Sequence, residues 1–492
     1  MRAPCLNQLP RHQTKSPRES NLSSMHSSDP RVESQFLDDN GIILGLQPTT
    51  GGAPYPGPGP DQKQLKISPT PSPERSSSPA SQHVPVSDPT PVPPFPDGGK
   101  DAWLTVLGAS CCLFVSFGWV NCVGVFQAHY QAHQLRDHTP SQIAWISSLQ
   151  VFFMVFGGPV VGKLIDDGGP ALPLALGAFL HVFGLMLTSV STNYVSIMLS
   201  QAVLSAIGSS MVFYPAITCA QTWFLKKRGA ALGIIAMGSS VGGVIFPIVL
   251  MQMIPRTGFG WAVRTCAFLI LALLVVANLT VRSRLPPSRK PFDLRAMGRP
   301  LCEVPFALLT ASIFFFYWGM FIPITFLVVE AQARGVSRSL VAYLVPIMNA
   351  ASIVGRTVPN ALADKLGHFN VMITMSVLTS ALILAVWLPT VGEPAAIAFA
   401  VLFGISSGAG IGLVPVLCAT ISPIHEIGLR SGTAYVFSAF AALTGSPIGG
   451  QLVTERQGDF TYAKVFGGLA CAIGATLFVA TRFVVGGWKL RV

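Results

Sequence analysis

Two short stretches, GKLIDDGGP at 162–170 and NALADKLGH at 360–368, decide the fold of this chain. Each stands at the end of an apolar run, and an ungapped offset of 198 residues superimposes both stretches and both runs. The offset pairs identical residues at six positions: Ala144 with Ala342, Gly157 with Gly355, Val160 with Val358, Leu164 with Leu362, Asp166 with Asp364 and Gly169 with Gly367. The shared Leu-x-Asp and glycine at the same end of two apolar helices indicate that the chain repeats itself.

The composition indicates a membrane protein. Half of the 492 residues are hydrophobic and 11% are charged, against about a quarter in a soluble globular protein, and the mean hydropathy is +0.55. The formal net charge of +11 belongs to residues 101–492, which carry 23 basic and 12 acidic side chains. A chain so apolar and so poor in charge excludes a soluble enzyme, a disordered regulator and a nucleic-acid-binding protein with a charged surface.

From residue 102 the apolar runs reach about 20 residues, the length that crosses the hydrocarbon layer of a bilayer. We count twelve spans, numbered in chain order: 102–126, 142–164, 171–190, 194–217, 229–253, 262–281, 304–329, 340–361, 371–389, 395–420, 433–453 and 462–485. The predicted fold is an all-α membrane protein with twelve transmembrane helices in two pseudo-symmetric six-helix halves. Two parallel halves of this kind are a transporter architecture, with the substrate site near mid-membrane.

The charges in the loops predict the orientation. The loops on the side of the two termini carry 14 Lys and Arg residues and those on the opposite side carry six, so the positive-inside rule places both termini in the cytoplasm. We expect the plasma membrane, with a vacuolar or other internal membrane as the alternative. The predicted domains are a disordered cytoplasmic tail at 1–95, a six-helix half at 96–281, a cytoplasmic linker at 282–303, a second half at 304–485 and a cytoplasmic tail at 486–492.

The two opening stretches resemble the major facilitator superfamily, whose motif after span 2, and more weakly after span 8, is roughly Gly-x-Leu-x-Asp-Arg-x-Gly-Arg. The chain looks more specifically like the monocarboxylate-transporter-like branch of that superfamily, in particular its fungal members. Three motifs carry this likeness: PDGGKDAW at 96–103, WFLKKRGAALGIIAMG at 223–238 and GRTVPNALADKLGHFN at 355–370. The resemblance covers about residues 96–492.

The resemblance implies a major facilitator fold with a cytoplasmic gating motif. The residues of this chain that match the motif are Gly162, Asp166, Gly169, Asp364 and Gly367. The first copy departs from it, because Asp167 and Pro170 stand where basic residues are usual. A further stretch, GSSVGG at 238–243, resembles an antiporter signature with Ser239 in the proline position, and we expect its glycines to serve helix packing.

Arg356 is the strongest candidate for a substrate contact, because an ionisable group within a span is costly and marks a functional site. Asn349, Ser352 and Arg356 are spaced i, i+3, i+7, so they share one helical face. A guanidinium can hold a carboxylate through two parallel hydrogen bonds, and the resemblance implies that this arginine binds a substrate carboxylate. The alternative is that Arg356 snorkels to the cytoplasmic headgroups.

Other polar or aromatic side chains lie on spans that line the cavity in this superfamily. These candidates are Trp119, Asn121, Gln150, Tyr214, Tyr317 and Trp318. Their alternative roles are interfacial anchoring for the aromatic residues and helix-to-helix hydrogen bonding for the amides. His181 in span 3 is expected to be a hydrogen-bonded packing residue.

Two departures from the animal members of the branch bear on energy coupling. A lysine of those members matches Asn121 here and an acidic residue matches Ser352, and both groups serve proton coupling there. The spans of this chain hold no carboxylate near mid-membrane, so we do not expect proton-coupled symport of the lactate type.

Two classes of function fit the sequence. The first is a secondary transporter that moves a small organic anion or carboxylate-bearing metabolite by alternating access, in secondary-metabolite efflux or, alternatively, in uptake of a monocarboxylate or vitamin. The second is a non-transporting nutrient sensor that signals through the N-terminal tail. We expect no enzymatic activity, no metal and no cofactor, because the span ends carry no catalytic cluster and the cysteines no C-x-x-C spacing. The expected partners are the lipid bilayer and a small organic substrate, without nucleic acid, and a monomer is expected to suffice.

Overall fold

The computed structural model describes residues 95–285, 298–389 and 392–487. This part of the chain holds twelve helices that are long and apolar enough to cross a membrane, and it holds no strand. In chain order they are Lys100–Ala132, Gln142–Gly168, Ala171–Thr188, Tyr194–Trp223, Arg228–Thr257, Phe259–Thr280, Val304–Ala333, Ser339–Leu366, His368–Trp387, Glu393–Thr420, Ile427–Glu455 and Thr461–Gly486. The predicted all-α fold and the predicted number of spans are confirmed, and the span numbers used above apply to these helices.

Several spans are not continuous α-helices. Span 1 consists of Lys100–Val115, Phe117–Val120 and Val123–Ala132, and span 2 of Pro140–Phe156 and Gly158–Gly168. Spans 4 and 9 contain π-helical segments at Met198–Ser205 and Leu382–Trp387, and short 3₁₀ helices at Arg299–Cys302 and Ile424–Glu426 precede spans 7 and 11. The predicted tails and most of the predicted linker lie outside the described residues, so the domain boundaries stay predictions.

The two halves pack in the same way. Span 1 packs on span 5 in the first half, as span 7 packs on span 11 in the second. The halves meet along two related seams, one between spans 5 and 8 and the other between spans 2 and 11. The repeat that the offset of 198 residues predicts is therefore present in the packing of the helices.

Glycines allow the helices to cross at backbone contact. A Cβ atom on Gly319 of span 7 would lie 2.2 Å from the carbonyl oxygen of Gly467 in span 12, and one on Gly208 of span 4 would lie 2.3 Å from the backbone nitrogen of His181. Lipid tails are as apolar as the helices, so close packing of this kind contributes much of the association energy within a bilayer.

The motifs at the starts of spans 1 and 5 form one structure. Asp97 Oδ1 accepts backbone N–H groups from Leu225 and Lys226, both at 2.7 Å, while the backbone N–H of Asp97 donates to the carbonyl of Trp223 at 3.2 Å. The ring of Trp103 also packs edge-on against Phe224, with centroids 5.4 Å apart. Two motifs more than a hundred residues apart in sequence thus hold the same end of the first half together.

His181 has the packing role expected of it. The ring is fully buried, its Nε2 faces the carbonyl of Val115 at 3.2 Å, and its Nδ1 faces the hydroxyls of Ser205 and Ser209 at 2.9 and 3.0 Å. Nδ1 also lies 3.1 Å from the carbonyl oxygen of Ser205, so both ring nitrogens have polar partners on neighbouring helices. The histidine therefore joins spans 1, 3 and 4.

We expect Gly319→Ala to lower the stability of the protein. The new Cβ would lie 2.2 Å from Gly467 O and 2.7 Å from the Cys471 backbone nitrogen, and neither backbone atom can move without separating spans 7 and 12. Overpacking of this kind costs about 1–3 kcal/mol, measured as a lower thermal unfolding midpoint in detergent.

Gly450→Ala is the matched control, because the nearest atom to its Cβ would be Phe326 Cζ at 3.8 Å, an ordinary contact. The control should leave the midpoint unchanged or raise it slightly, since alanine favours the helix. Equal midpoints for the two variants would contradict the argument from close approach.

Candidate transport cavity

A cavity of about 240 Å³ lies between the two halves, with walls from spans 1, 2, 7, 8, 10 and 11. At one end, near the middle of the bundle, its lining includes Arg356 and Tyr435, and at the other it reaches Gln131 near the end of span 1 and Gln332 near the end of span 7. The cavity therefore opens toward the side of the bundle opposite the start of span 1 and the end of span 12.

The lining carries a single charged side chain. Among the described residues that form the wall, Arg356 is the only one of the charged types, and none is Asp, Glu, Lys or His. The neutral polar groups divide between the inner end, with Asn121, Asn349 and Ser407, and the mouth, with the three glutamines Gln127, Gln131 and Gln332. Most of the remaining wall is apolar, so the cavity combines one cation with a large hydrophobic surface.

The guanidinium of Arg356 is held between the two halves. Its Nε donates to Ser352 Oγ of the same helix at 3.1 Å, and its Nη1 donates to the carbonyl of Ala236 at 2.9 Å and to Ser239 Oγ, both in span 5. The residue is only 5% exposed, so it does not reach the headgroups as the snorkelling alternative requires. Nη2 has no hydrogen-bond partner among the described residues, which leaves it available to a ligand.

Asn121 and Asn349 meet across the halves at the inner end of the cavity. Asn349 Nδ2 donates to Asn121 Oδ1 at 3.1 Å, and Asn121 Nδ2 donates to the carbonyl of Phe117 at 2.9 Å. Gly243 of span 5 makes room for this pair, because a Cβ there would lie 2.6 Å from Asn349 Oδ1. The expected packing role of the GSSVGG glycines is confirmed at this position.

Tyr317 also lines the cavity, beside a residue that the sequence analysis missed. Tyr435 belongs to the cavity wall on span 11. Tyr435 lies near the start of the predicted span 433–453, whereas the helix of the structure begins at Ile427 and places this tyrosine further from the helix end.

Four of the predicted residues lie outside the cavity wall. Trp119 packs edge-on between Phe126 and Phe246. Side chains two positions apart in a helical segment point in nearly opposite directions. Because Asn121 faces the cavity, Trp119 points away from it. Gln150 accepts from Gln201 at 3.0 Å. Tyr214 donates to the carbonyl of Val155 at 2.5 Å. Trp318 donates to Thr444 Oγ1 at 3.1 Å. Each of the four joins two helices in this conformation.

The second copy of the motif joins the two halves on the side of the termini. Asp364 Oδ1 accepts the backbone N–H of Gly229 at 2.7 Å, and Oδ2 accepts that of Ala230 at 2.9 Å. Span 5 begins at Arg228, so a carboxylate of the second half caps the positive end of a helix of the first half. In the related place, Gly162 of span 2 faces Gly428 near the start of span 11, whose carbonyl oxygen would lie 3.8 Å from an added Cβ.

The other feature that the two copies share is the glycine that ends each helix. Gly169 and Gly367 have φ angles of 81° and 96°, the left-handed region that glycine adopts without steric cost. Their backbone N–H groups donate to Ile165 and Ala363 at 2.8 and 2.9 Å, which terminates spans 2 and 8. In the first copy, Asp167 forms an ion pair with Lys163 on its own helix. The gating role of the motif itself stays a prediction.

Arg430 joins the starts of spans 7 and 11 on the same side. Its two terminal nitrogens donate to both carboxylate oxygens of Glu303 at 2.7 and 2.8 Å, and its Nε donates to Glu426 at 2.9 Å. These hydrogen bonds from Arg430 lower the pKa of the Glu303 carboxyl. The ion pair of Arg430 with Glu303 connects two helices of the second half.

Twelve membrane-spanning helices in two related halves, with a cavity between them that is open on one side, define a secondary membrane transporter. The sequence profile of the Major Facilitator Superfamily matches residues 108–446. The chain belongs to the major facilitator superfamily.

Curated relatives agree with this assignment. The "MFS-type transporter opdF" of Penicillium oxalicum is 50% identical over 415 residues, which cover 84% of this chain and 97% of that protein. The "Fujikurins efflux protein" of Gibberella fujikuroi is 45% identical over 390 residues, which cover 79% of this chain and 84% of that protein. Among solved structures, the transporter FucP of E. coli in its outward conformation matches 78% of this chain and 99% of its own, with a TM-score of 0.58 and 14% identity, which shows a shared fold.

We expect Asp364→Asn to loosen the closed side of the bundle. The amide keeps one acceptor oxygen for Gly229 and Ala230 but loses the second acceptor and the negative charge at the start of span 5. Hydrogen bonds to a charged group contribute about 1.5–3 kcal/mol, so the amides at 228–232 should exchange with deuterium at least about tenfold faster, as measured by mass spectrometry.

Asp167→Asn is the control, because Asp167 pairs with Lys163 on its own helix, and within the described residues this ion pair does not cross between the halves. It should leave exchange at 228–232 unchanged. Exchange in Asp364→Asn equal to that of the unmodified protein would refute the capping role of Asp364.

Proposed function

We propose that this protein exports an amphipathic organic anion across a cell membrane by alternating access. The observation that carries the proposal is the charge of the cavity, because Arg356 is the only charged side chain among the described residues of its wall. A cation without a carboxylate neighbour favours a negatively charged ligand, and the low dielectric of the site strengthens the contact.

The apolar surface of the cavity supports an amphipathic substrate. Met320, Ile324 and Val328 of span 7 form a continuous hydrophobic wall between the inner end and the mouth. A ligand with its acidic group on Arg356 would extend along this wall, where burial of apolar surface contributes roughly 25 cal/mol per Å². The glutamines at the mouth would then meet polar groups at the far end of the ligand.

The direction of transport is inferred from the relatives. A protein 45% identical to this chain is named for the efflux of fujikurins, which supports export of a secondary metabolite here. The basic loops favour cytoplasmic termini, and export from the cell would place the protein in the plasma membrane. With that topology the open side of the cavity faces outward, so the structure would represent the state that releases the exported molecule.

Membership of the monocarboxylate-transporter-like branch is supported by the motifs at 96–103, 223–238 and 355–370. One chain contains the whole cavity, so a monomer would suffice.

Proton coupling through an acid in the cavity is not part of the proposal. The described wall residues include no carboxylate and no histidine, and an arginine side chain keeps its charge throughout the physiological pH range. The substrate would therefore move as an anion, by exchange or down its own gradient.

Arg356→Gln should remove anion binding. A hydrogen-bonded carboxylate–guanidinium contact contributes about 1.5–3 kcal/mol, so its loss should weaken binding of 2-naphthoate, a rigid amphipathic carboxylate, by at least about tenfold. Binding is measured by calorimetry on the purified protein in nanodiscs, and export by comparing intracellular and extracellular metabolites in deletion and overexpression strains.

Arg264→Gln is the matched control, since Arg264 contacts Ser189 at 3.0 Å and the ring of Trp261 and lies outside the cavity wall. The control should bind and export normally. Preference of the unmodified protein for the neutral 2-naphthamide over 2-naphthoate, or equal export by Arg356→Gln and the unmodified protein, would disprove the anion assignment.

Removal of residues 2–90 separates a carrier from a sensor. The cavity and the contacts of Asp97 lie outside the deleted segment, so a carrier should keep its export of metabolites at the same surface abundance. A sensor would lose its cellular output while ligand binding persisted. Absence of export by the full chain, with a cellular response that disappears on removal of residues 2–90 while 2-naphthoate binding persists, would therefore argue for the sensor.

A further inference from the structure

Arg356 makes contacts of two kinds, and only one of them crosses between the halves. Its hydrogen bond to Ser352 stays within span 8, whereas those to Ala236 and Ser239 reach span 5. The same guanidinium lines the cavity. A group that contacts both the ligand space and the opposite half can transmit ligand binding to the seam between spans 5 and 8.

Ser239 is oriented as an acceptor for Arg356. Its hydroxyl donates to the carbonyl of Ala236 at 2.8 Å, so the lone pairs of the oxygen remain for the N–H of Arg356. The side chain is fully buried, which excludes water as a competing partner. Ser239 and the Ala236 carbonyl together form a small acceptor site for one terminal nitrogen of the guanidinium.

The seam around this contact is too tight to slide. A Cβ on Gly233 would lie 2.4 Å from the carbonyl of Arg356, and one on Gly229 would lie 2.4 Å from the carbonyl of Asn360. Opening of the bundle on the side of the termini must therefore separate spans 5 and 8. This separation breaks the contacts of Arg356 with Ser239 and Ala236.

Breaking these contacts is costly when the cavity is empty. None of the hydrogen bonds of Arg356 within the described part of the chain involves a carboxylate. A buried guanidinium that loses its acceptors without replacement pays a desolvation penalty. The empty protein should therefore stay closed on the side of the termini, so that of the two modes named above the outward movement of one anion would occur in exchange for another.

We propose that Ser239 is a positioning residue that the anionic group of the substrate replaces on Arg356, and that this replacement releases the seam between spans 5 and 8. The proposal rests on the anion assignment made above for Arg356. A carboxylate supplies two acceptor oxygens in the geometry of the guanidinium, so the bound state can open without leaving the cation unsatisfied. Ser239 thereby links substrate binding to the movement of the halves.

The test compares Ser239→Ala with Ser352→Ala in nanodiscs without ligand. Both variants remove one hydroxyl acceptor from the same guanidinium, but only Ser239 lies across the seam. We expect amides at 228–236 to exchange about tenfold faster in Ser239→Ala, because exchange reports the population of the opened state. Ser352→Ala should match the unmodified protein. Unchanged exchange in Ser239→Ala, or equal acceleration in both variants, would overturn the proposal.

A second arm adds 2-naphthoate or 2-naphthamide at millimolar concentration. Naphthoate should accelerate exchange at 228–236 in the unmodified protein, naphthamide should not, and the acceleration should be much smaller in Ser239→Ala, where the seam is already released.

Calorimetry distinguishes failure of the anion assignment from failure of the role proposed for Ser239. If naphthoate binds through Arg356 without accelerating exchange, the anion assignment stands and the role of Ser239 fails. If Ser239→Ala loosens the seam but naphthoate does not bind, the anion assignment fails and the substrate-replacement step fails with it.

Discussion

The structure depends on a guanidinium that is buried without a carboxylate partner. Arg356 lies in a wall shared by the cavity and the seam between spans 5 and 8, and neutral acceptors on both helices satisfy part of its hydrogen-bonding capacity. Charged groups inside a membrane are expensive, so such a group persists only where it meets a ligand or holds an interface. The placement of Arg356 satisfies both conditions, and it explains why a wall that is otherwise neutral and mostly apolar contains one permanent charge.

The internal repeat places Arg356 between two packed halves of the protein. Each half is a packed six-helix unit, and the halves touch along two related seams. On the side of the termini, Asp364 caps the start of span 5 while Gly162 approaches the start of span 11. The seams thus consist of backbone contacts, helix caps and a few polar groups. The two halves can separate along them as units. Rigid halves with separable seams are what alternating access requires.

Helical periodicity predicted one part of the site well and another part poorly. Asn349, Ser352 and Arg356 belong to one face of a single long helix, so their spacing was enough to bring them together in the cavity wall. Four other candidates lie outside that wall, because the rotation of each helix about its axis depends on the helices packed against it. They are Trp119, Gln150, Tyr214 and Trp318. Trp119 illustrates this, since the aromatic contacts with Phe126 and Phe246 turn it away from the cavity. Tyr435 was missed, and the predicted span 433–453 places it near a helix end, whereas the helix of the structure begins at Ile427.

The amino-acid sequence by itself determined the class of this protein, because the number, length and repetition of apolar runs are local properties that a bilayer converts directly into spans. It also indicated the permanent charge at Arg356, since a single arginine in an apolar helix stands out without any knowledge of packing. Only the tertiary structure decided which groups that charge meets. The sequence assigned Ser239 only to a glycine-rich packing stretch, yet in the structure it contacts Arg356, 117 residues later in the chain. Asn121 and Asn349 likewise belong to different halves and meet only in the folded protein. Contacts between distant segments follow from the relative rotation and depth of the helices, and these are set by the packing of the whole bundle.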